Sequence, residues 1–247
     1  MSSMSDQHVD AQLDQDPTDV LFRQMSSVGR SVQPTSKAGK SRRTFLSMGA
    51  AMGAAALSTV GLVKPAHAAS SFPGSTAEFS AAFQDIQEHE NYHVSVLTHY
   101  LGDSARPKPT FKNLQQSNMT NFITAARAFE NTGTGAYLFA APYIFNQFYL
   151  QLAGAIALVE GRHSGFLQVG TGLPITENNE GTQHRITQES VVSAVTPYIQ
   201  SLNGGAAPMY ALSRSASNDI SILNFALLLE YLEAEYYNIN VPIFFPS

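Results

Sequence analysis

The chain of 247 residues contains no cysteine. That excludes disulfides, iron–sulfur clusters, a thiol nucleophile, a lipoprotein anchor and zinc-finger chemistry. Charge is sparse, and positive charge is the sparser sign. Beyond residue 68 there are seven Lys and Arg against fourteen Asp and Glu, a net charge of −7. An acidic exterior argues against nucleic acid and against an anionic membrane surface as partners. A strongly apolar run is missing as well. Thr44 to Val63 is free of charge but heavy in Ala, Gly and Ser, whereas a spanning helix needs about 20 strongly apolar residues.

Residues 1–40 are polar, rich in Ser, Gln and Asp, and show no apolar periodicity, which reads as a disordered extension. Ser41-Arg42-Arg43-Thr44-Phe45-Leu46 follows and resembles the twin-arginine export motif. The uncharged stretch behind it ends in Lys64 and in Ala66-His67-Ala68, an A-x-A cleavage pattern. Residues 41–68 are therefore expected to be a signal peptide handed to the twin-arginine machinery and cleaved near Ala68, with an uncleaved anchor as the alternative. The remainder, 69–247, suits one domain in a periplasmic or extracellular space. Export of an already folded protein also bears on metal choice. A carboxylate–imidazole site exposed outside would tend to fill with Cu or Zn, and folding in the cytoplasm lets Fe or Mn enter first.

Helix-period apolar spacing predicts an all-α fold, a bundle of four long helices over about 76–101, 118–143, 145–168 and 217–238. Gly102 stops the first, and Gly170, Gly172 and Pro174 end the third. Asn218 or Ser217 is the expected cap of the fourth, with Asp219 in its first turn. The connection 169–216 carries a shorter helix from Thr187 to Leu202 and returns the chain across the bundle.

Two Glu-x-x-His steps lie on these apolar stripes, Glu90–His93 and Glu160–His163. Random placement of eleven Glu and five His after residue 68 would give fewer than one such step. Each is matched by a stripe glutamate on another helix, Glu130 and Glu230. Four inward glutamates and two inward histidines form the ligand set of a dinuclear metal centre in a four-helix bundle. A soluble core does not bury that many ionisable groups without a cation to neutralise them. Glu230 is preferred over Glu233 because it aligns with Leu223, Leu227, Ala234 and Tyr237. His89 and His99 fall off the stripe and His184 falls in a loop, so none of the three is assigned to the site. Tyr137 and Tyr237 each follow their helix's glutamate by seven residues, on the same face, and are expected to donate to ligand carboxylates. Gly133 and Gly135 are expected to leave room beside Glu130 for a small oxidant.

These residues resemble the ferritin-like superfamily, and more narrowly its exported ferritin-like and desiccation-related branch. The resemblance is carried by Glu90-Asn91-Tyr92-His93, Pro107-Lys108-Pro109-Thr110-Phe111, Phe129-Glu130-Asn131-Thr132-Gly133, Glu160-Gly161-Arg162-His163 and Leu229-Glu230-Tyr231-Leu232-Glu233-Ala234. In that branch the last of these segments normally opens the domain. Here it closes the chain, which looks like a circular permutation, or else a helix swapped into a second subunit. The resemblance implies two Fe or two Mn ions bridged by Glu90 and Glu160. His93 and His163 would hold one ion each, with Glu130 and Glu230 as terminal carboxylates. It further implies reaction with O2 or peroxide as ferroxidase, peroxidase or catalase-like detoxifier. A non-enzymatic exported stress protein with a structural or storage metal is the alternative. The apolar ending Val241-Pro242-Ile243-Phe244-Phe245 suggests a contact surface, such as a homodimer.

Overall fold

The computed structural model describes residues 77–205 and 207–246; the expected extension and export signal lie outside them. Four long helices form the bundle, α1 (Ala77–Leu101), α2 (Met119–Ala140), α3 (Gln147–Gly170) and α5 (Ala216–Phe244), with a short α4 (Gln188–Val195) between the last two. Side-chain caps set most of the starts. Asn118 accepts from the Asn121 amide, Asn146 from Phe148 and Thr187 from Ser190. Gly102, at φ +53°, supplies the left-handed residue that ends α1.

The start of α5 differs from expectation. Ser215 is the cap, accepting from the Asn218 amide. Asp219 is buried and accepts from the amides of Phe145 and Asn146 at 2.7 and 2.9 Å, which pins α5 to the corner between α2 and α3. Asn218 turns back to bond Ala211 and Ser213. α5 also runs six residues beyond the expected end and passes through Pro242. Proline takes away the donor to the Asn238 carbonyl and its ring crowds that oxygen, but Pro242 lies in the last turn and Asn238 is exposed, so water can satisfy the oxygen.

Contacts along the bundle give the helix directions. Phe83 stacks on Phe245 while Asn91 bonds Asn238, so α1 and α5 are antiparallel. Phe122 meets Phe244 while Tyr137 reaches Glu230, so α2 and α5 are antiparallel as well. Phe83 lies against Phe166 while Tyr100 lies against Phe148, which makes α1 and α3 antiparallel. α1 and α2 thus share one direction and α3 and α5 the other. Two long connections are needed to achieve this.

The first connection lies along α5. Asn224 accepts from the Arg106 amide, and sixteen residues further on Asn240 accepts from Gln116 and donates to the Leu114 carbonyl. Those two anchors sit about 24 Å apart at 1.5 Å per residue. The second connection is stitched to the first by a short antiparallel ladder, β1 (Thr110–Phe111) with β2 (Ile199–Ser201). The residues expected as one helix to Leu202 therefore divide into α4, a 3-10 turn over Thr196–Tyr198 and β2. Pro197 and the edge pairing of Lys112 with Tyr198 redirect the backbone.

The core is aromatic at the end where α1 begins and α5 finishes, with Phe122 against Phe83, Tyr236 and Phe245, and Phe83 stacked on Phe245. Val241 and Phe245 are consumed inside the chain, leaving Ile243 of the apolar ending exposed. Among the described residues, no helix is long and apolar enough to cross a membrane.

Candidate metal centre

Each of the four long helices sends acidic side chains to the bundle axis. Glu90 and His93 come from α1, Glu130 from α2, Glu160 and His163 from α3, and Glu230 from α5. Glu90, Glu130 and Glu160 are 0% exposed, and none of the six exceeds 5%. All six residues expected from the sequence meet in one place.

They form two overlapping groups whose ligand atoms lie within 4.8 Å of one another. One is Glu90, Glu130, Glu160 and His163; the other is Glu90, His93, Glu160 and Glu230. Glu90 and Glu160 belong to both. Nδ1 of His93 lies 3.3 Å from Glu90, 3.0 Å from Glu160 and 3.1 Å from Glu230. Nδ1 of His163 lies 3.0 Å from Glu90 and 3.2 Å from Glu130. The tyrosines cross over, Tyr137 donating to Glu230 and Tyr237 to Glu130, both at 2.5 Å. Each tyrosine lies on the same face as its own helix's glutamate but serves the glutamate of the helix opposite.

Burial and crowding set the protonation. Burial, reinforced by Glu90 and Glu130, holds the Glu160 carboxyl well above the usual carboxylate range. Burial raises Glu230 to about 7 despite the pull of His93. Burial also acts on Glu90, but the two imidazoles facing its oxygens outweigh it and keep this carboxylate ionised. Burial disfavours charge on the imidazoles, yet the carboxylates raise both, His163 to about 9. Burial keeps the two tyrosine hydroxyls protonated, and the carboxylates they serve add to that.

A cluster held together only by protons leaves donors missing. Glu160 Oε2 and Glu233 Oε2 are buried without a hydrogen-bond partner, and Glu90 Oε1 and Glu160 Oε1 face only an imidazole nitrogen already shared with other carboxylates. Unpaired buried carboxylate oxygens are costly and rare. Oxygen donors with two imidazole nitrogens suit divalent ions such as Fe and Mn. The residues present fit such ions, and either group could hold one.

Two residues at the site escaped the sequence reading. Glu233, set aside in favour of Glu230, is 2% exposed, and burial together with Glu90 and Glu230 raises its carboxyl well above the usual range. The alignment picked out Glu230, which belongs to one of the two groups, but it could not show that Glu233 is buried beside it. α5 is buried on nearly every side, so no single stripe separates inward from outward positions. His89 was the other. It is partly exposed, yet its Nδ1 lies 3.0 Å from Nε2 of His163. Burial, with His163 and His93 nearby, lowers it to about 4. Only its place one residue before Glu90 could have drawn notice.

The expected space beside Glu130 is absent. A Cβ on Gly133 would sit 3.2 Å from Glu160 and 3.3 Å from Glu233. On Gly135 it would meet Ile186 at 2.5 Å. The second glycine admits the connection, whose Ile186 amide donates to the Gly135 carbonyl, and not an oxidant.

A ferritin-like domain family model matches residues 48–172, half of the chain, spanning α1, α2 and α3. The chain belongs to the ferritin-like domain family. α5, which brings Glu230 and Glu233, lies beyond the matched residues. No curated protein and no solved structure matches the chain. A buried Glu/His cluster within a ferritin-like helical bundle suits a metal-binding protein of this family.

Proposed function

We propose that this is an exported ferritin-like protein carrying two Fe or two Mn ions, which reacts with O2 or peroxide in oxidative or desiccation stress defence. The observation that carries the reading is the pair of overlapping groups sharing Glu90 and Glu160. That overlap suits two ions bridged by those carboxylates, with His163 and Glu130 on one and His93 and Glu230 on the other. Four carboxylates neutralise two divalent ions, which makes so complete a burial tolerable. When bound, a pair of this kind supplies redox-active centres for reducing a small oxidant.

The chain's own groups would do the rest. Tyr137 and Tyr237 hold the terminal carboxylates in place, and Glu233 lies at the cluster as a fifth buried carboxyl able to keep a proton. The aromatic end of the core keeps bulk water out. The reading of α5 as a circularly permuted first helix draws support from the helix directions. Two helices running one way and two the other, with two long connections, is what joining the old ends of a one-crossover ferritin-like bundle and reopening it after its first helix would give. The burial of all six candidate ligands favours a second reading, a structural or storage centre without turnover.

Metal analysis of the purified protein beside a Glu90→Ala/Glu160→Ala variant tests the proposal. About two Fe or Mn per chain, lost in the variant, is the expected result; no bound metal in either would refute it. Peroxide or O2 consumption by the loaded protein supports the defence role, and its absence leaves the structural centre.

A further inference from the structure

We infer that His89 is a positioning residue that acts through His163 and makes the two metal positions unequal. The inference rests on the dinuclear reading above. Around the cluster the arrangement repeats: Tyr137 serves Glu230 as Tyr237 serves Glu130, and both histidines turn Nδ1 toward the carboxylates. Behind the histidines the repeat ends. Nε2 of His163 lies 3.0 Å from Nδ1 of His89. The two rings are tilted by only 8° with centroids 5.2 Å apart, and they meet nitrogen to nitrogen along their edges. The hydrogen bonds of His93, among the described residues, all run through Nδ1.

The sequence shows why. Each Glu-x-x-His step is preceded by one residue that occupies the equivalent place on its helix. On α1 that residue is His89, and on α3 it is Val159. A valine offers no acceptor, so the structure supplies an outer partner to His163 and none of this kind to His93.

The chemistry follows from the tautomer. An imidazole that binds an ion through Nδ1 carries its proton on Nε2. In His163 that N–H donates to Nδ1 of His89, whose own Nε2–H is then directed away. An outer acceptor fixes the ring's orientation and strengthens it as a ligand, and loss of one typically weakens metal binding about 10- to 100-fold. The ion held by Glu90, Glu130, Glu160 and His163 should be the tighter of the two.

The test is Co2+ titration of the metal-free full chain by calorimetry, with NMR of the exchangeable imidazole N–H protons shifted by bound Co2+. The wild type should take two ions with unequal affinity and show one slowly exchanging ring N–H. His89→Phe should weaken the tighter ion about 10- to 100-fold, leave the other within about twofold, and lose the slow proton. His89→Asn places an amide oxygen where Nδ1 stood and should restore both readouts. Equal weakening of both ions, no weakening, or failure of His89→Asn to restore what His89→Phe removes would overturn the role of His89 while leaving the dinuclear centre intact. A wild type that takes up no Co2+ overturns both.

Discussion

Tyr137 and Tyr237 show how much a single hydroxyl carries at this site. Each is buried and gives its hydroxyl hydrogen to a carboxylate oxygen of the opposite helix. Tyr237→Phe leaves a buried oxygen of Glu130 without its donor, and should destabilise the metal-free protein by about 1–3 kcal/mol. Urea unfolding in chelator measures this directly, and an unchanged midpoint would show that water replaces the hydroxyl. The sequence places both tyrosines two turns from a glutamate. It does not reveal that they serve each other's helices, because that depends on how α2 and α5 cross. Glu90, Glu130, Glu160, His93 and His163 were legible for a simple reason: on three amphipathic helices an ionisable group within the apolar stripe stands out. Glu233 was hidden because α5 has no polar face to set it against.

At the level of elements, Gly133 and Gly135 lie two residues apart on α2 and face different neighbours. A methyl on Gly133 presses on the carboxyls of Glu160 and Glu233, and one on Gly135 presses on Ile186 and the His184 carbonyl. Gly133→Ala is expected to reduce bound metal while changing the melting temperature of the metal-free protein little. Gly135→Ala should do the opposite, costing about 1–3 kcal/mol by displacing the connection while the metal content holds. Metal analysis and thermal melts on the pair separate the two effects. If both variants lost metal equally, the division between site and connection would be wrong. The four long helices were readable from periodicity, and Gly102 marked a true end. β1 and β2 were not, since a two- or three-residue ladder has no periodicity of its own and forms only where two distant connections meet.

For the molecule as a whole, the protons in the cluster set the response to pH. Glu160 and Glu233 have folded-state values well above 4.5, raised by burial and by neighbouring carboxylates, and burial takes Glu230 to about 7. A carboxyl raised on folding destabilises the fold as pH climbs from its unfolded value to its folded one. The histidines act in the same direction. Their stabilisation is complete below 6.5 and is lost as pH rises through the folded value, about 9 for His163. Glu90 is lowered, so its contribution is already complete above 4.5. His89, lowered to about 4, gains stability up to pH 6.5 and offsets one of the three raised carboxyls there, leaving the net change a loss. The metal-free protein should therefore melt at lower temperature at each step from about pH 5 to about pH 9. Metal displaces those protons, so its stabilising increment should grow over the same range. Thermal melts with chelator and with Mn2+ at several pH values check both; a metal-free melting temperature that rises with pH would contradict the protonation derived for the cluster.

By itself the sequence determined the helical class, three of the four bundle faces and the six residues that meet at the axis. All of these follow from short-range periodicity, in which 3.6 residues per turn convert spacing directly into a shared face. The sharing of Glu90 and Glu160 came from the family resemblance and not from spacing, and only the tertiary structure decided that Glu233 and His89 join the six and that Ile186 fills the gap at Gly135. Those outcomes depend on which helices become neighbours and in which direction they run. Contacts between residues as distant as Glu130 and Tyr237 are fixed by packing, and local spacing holds no record of them.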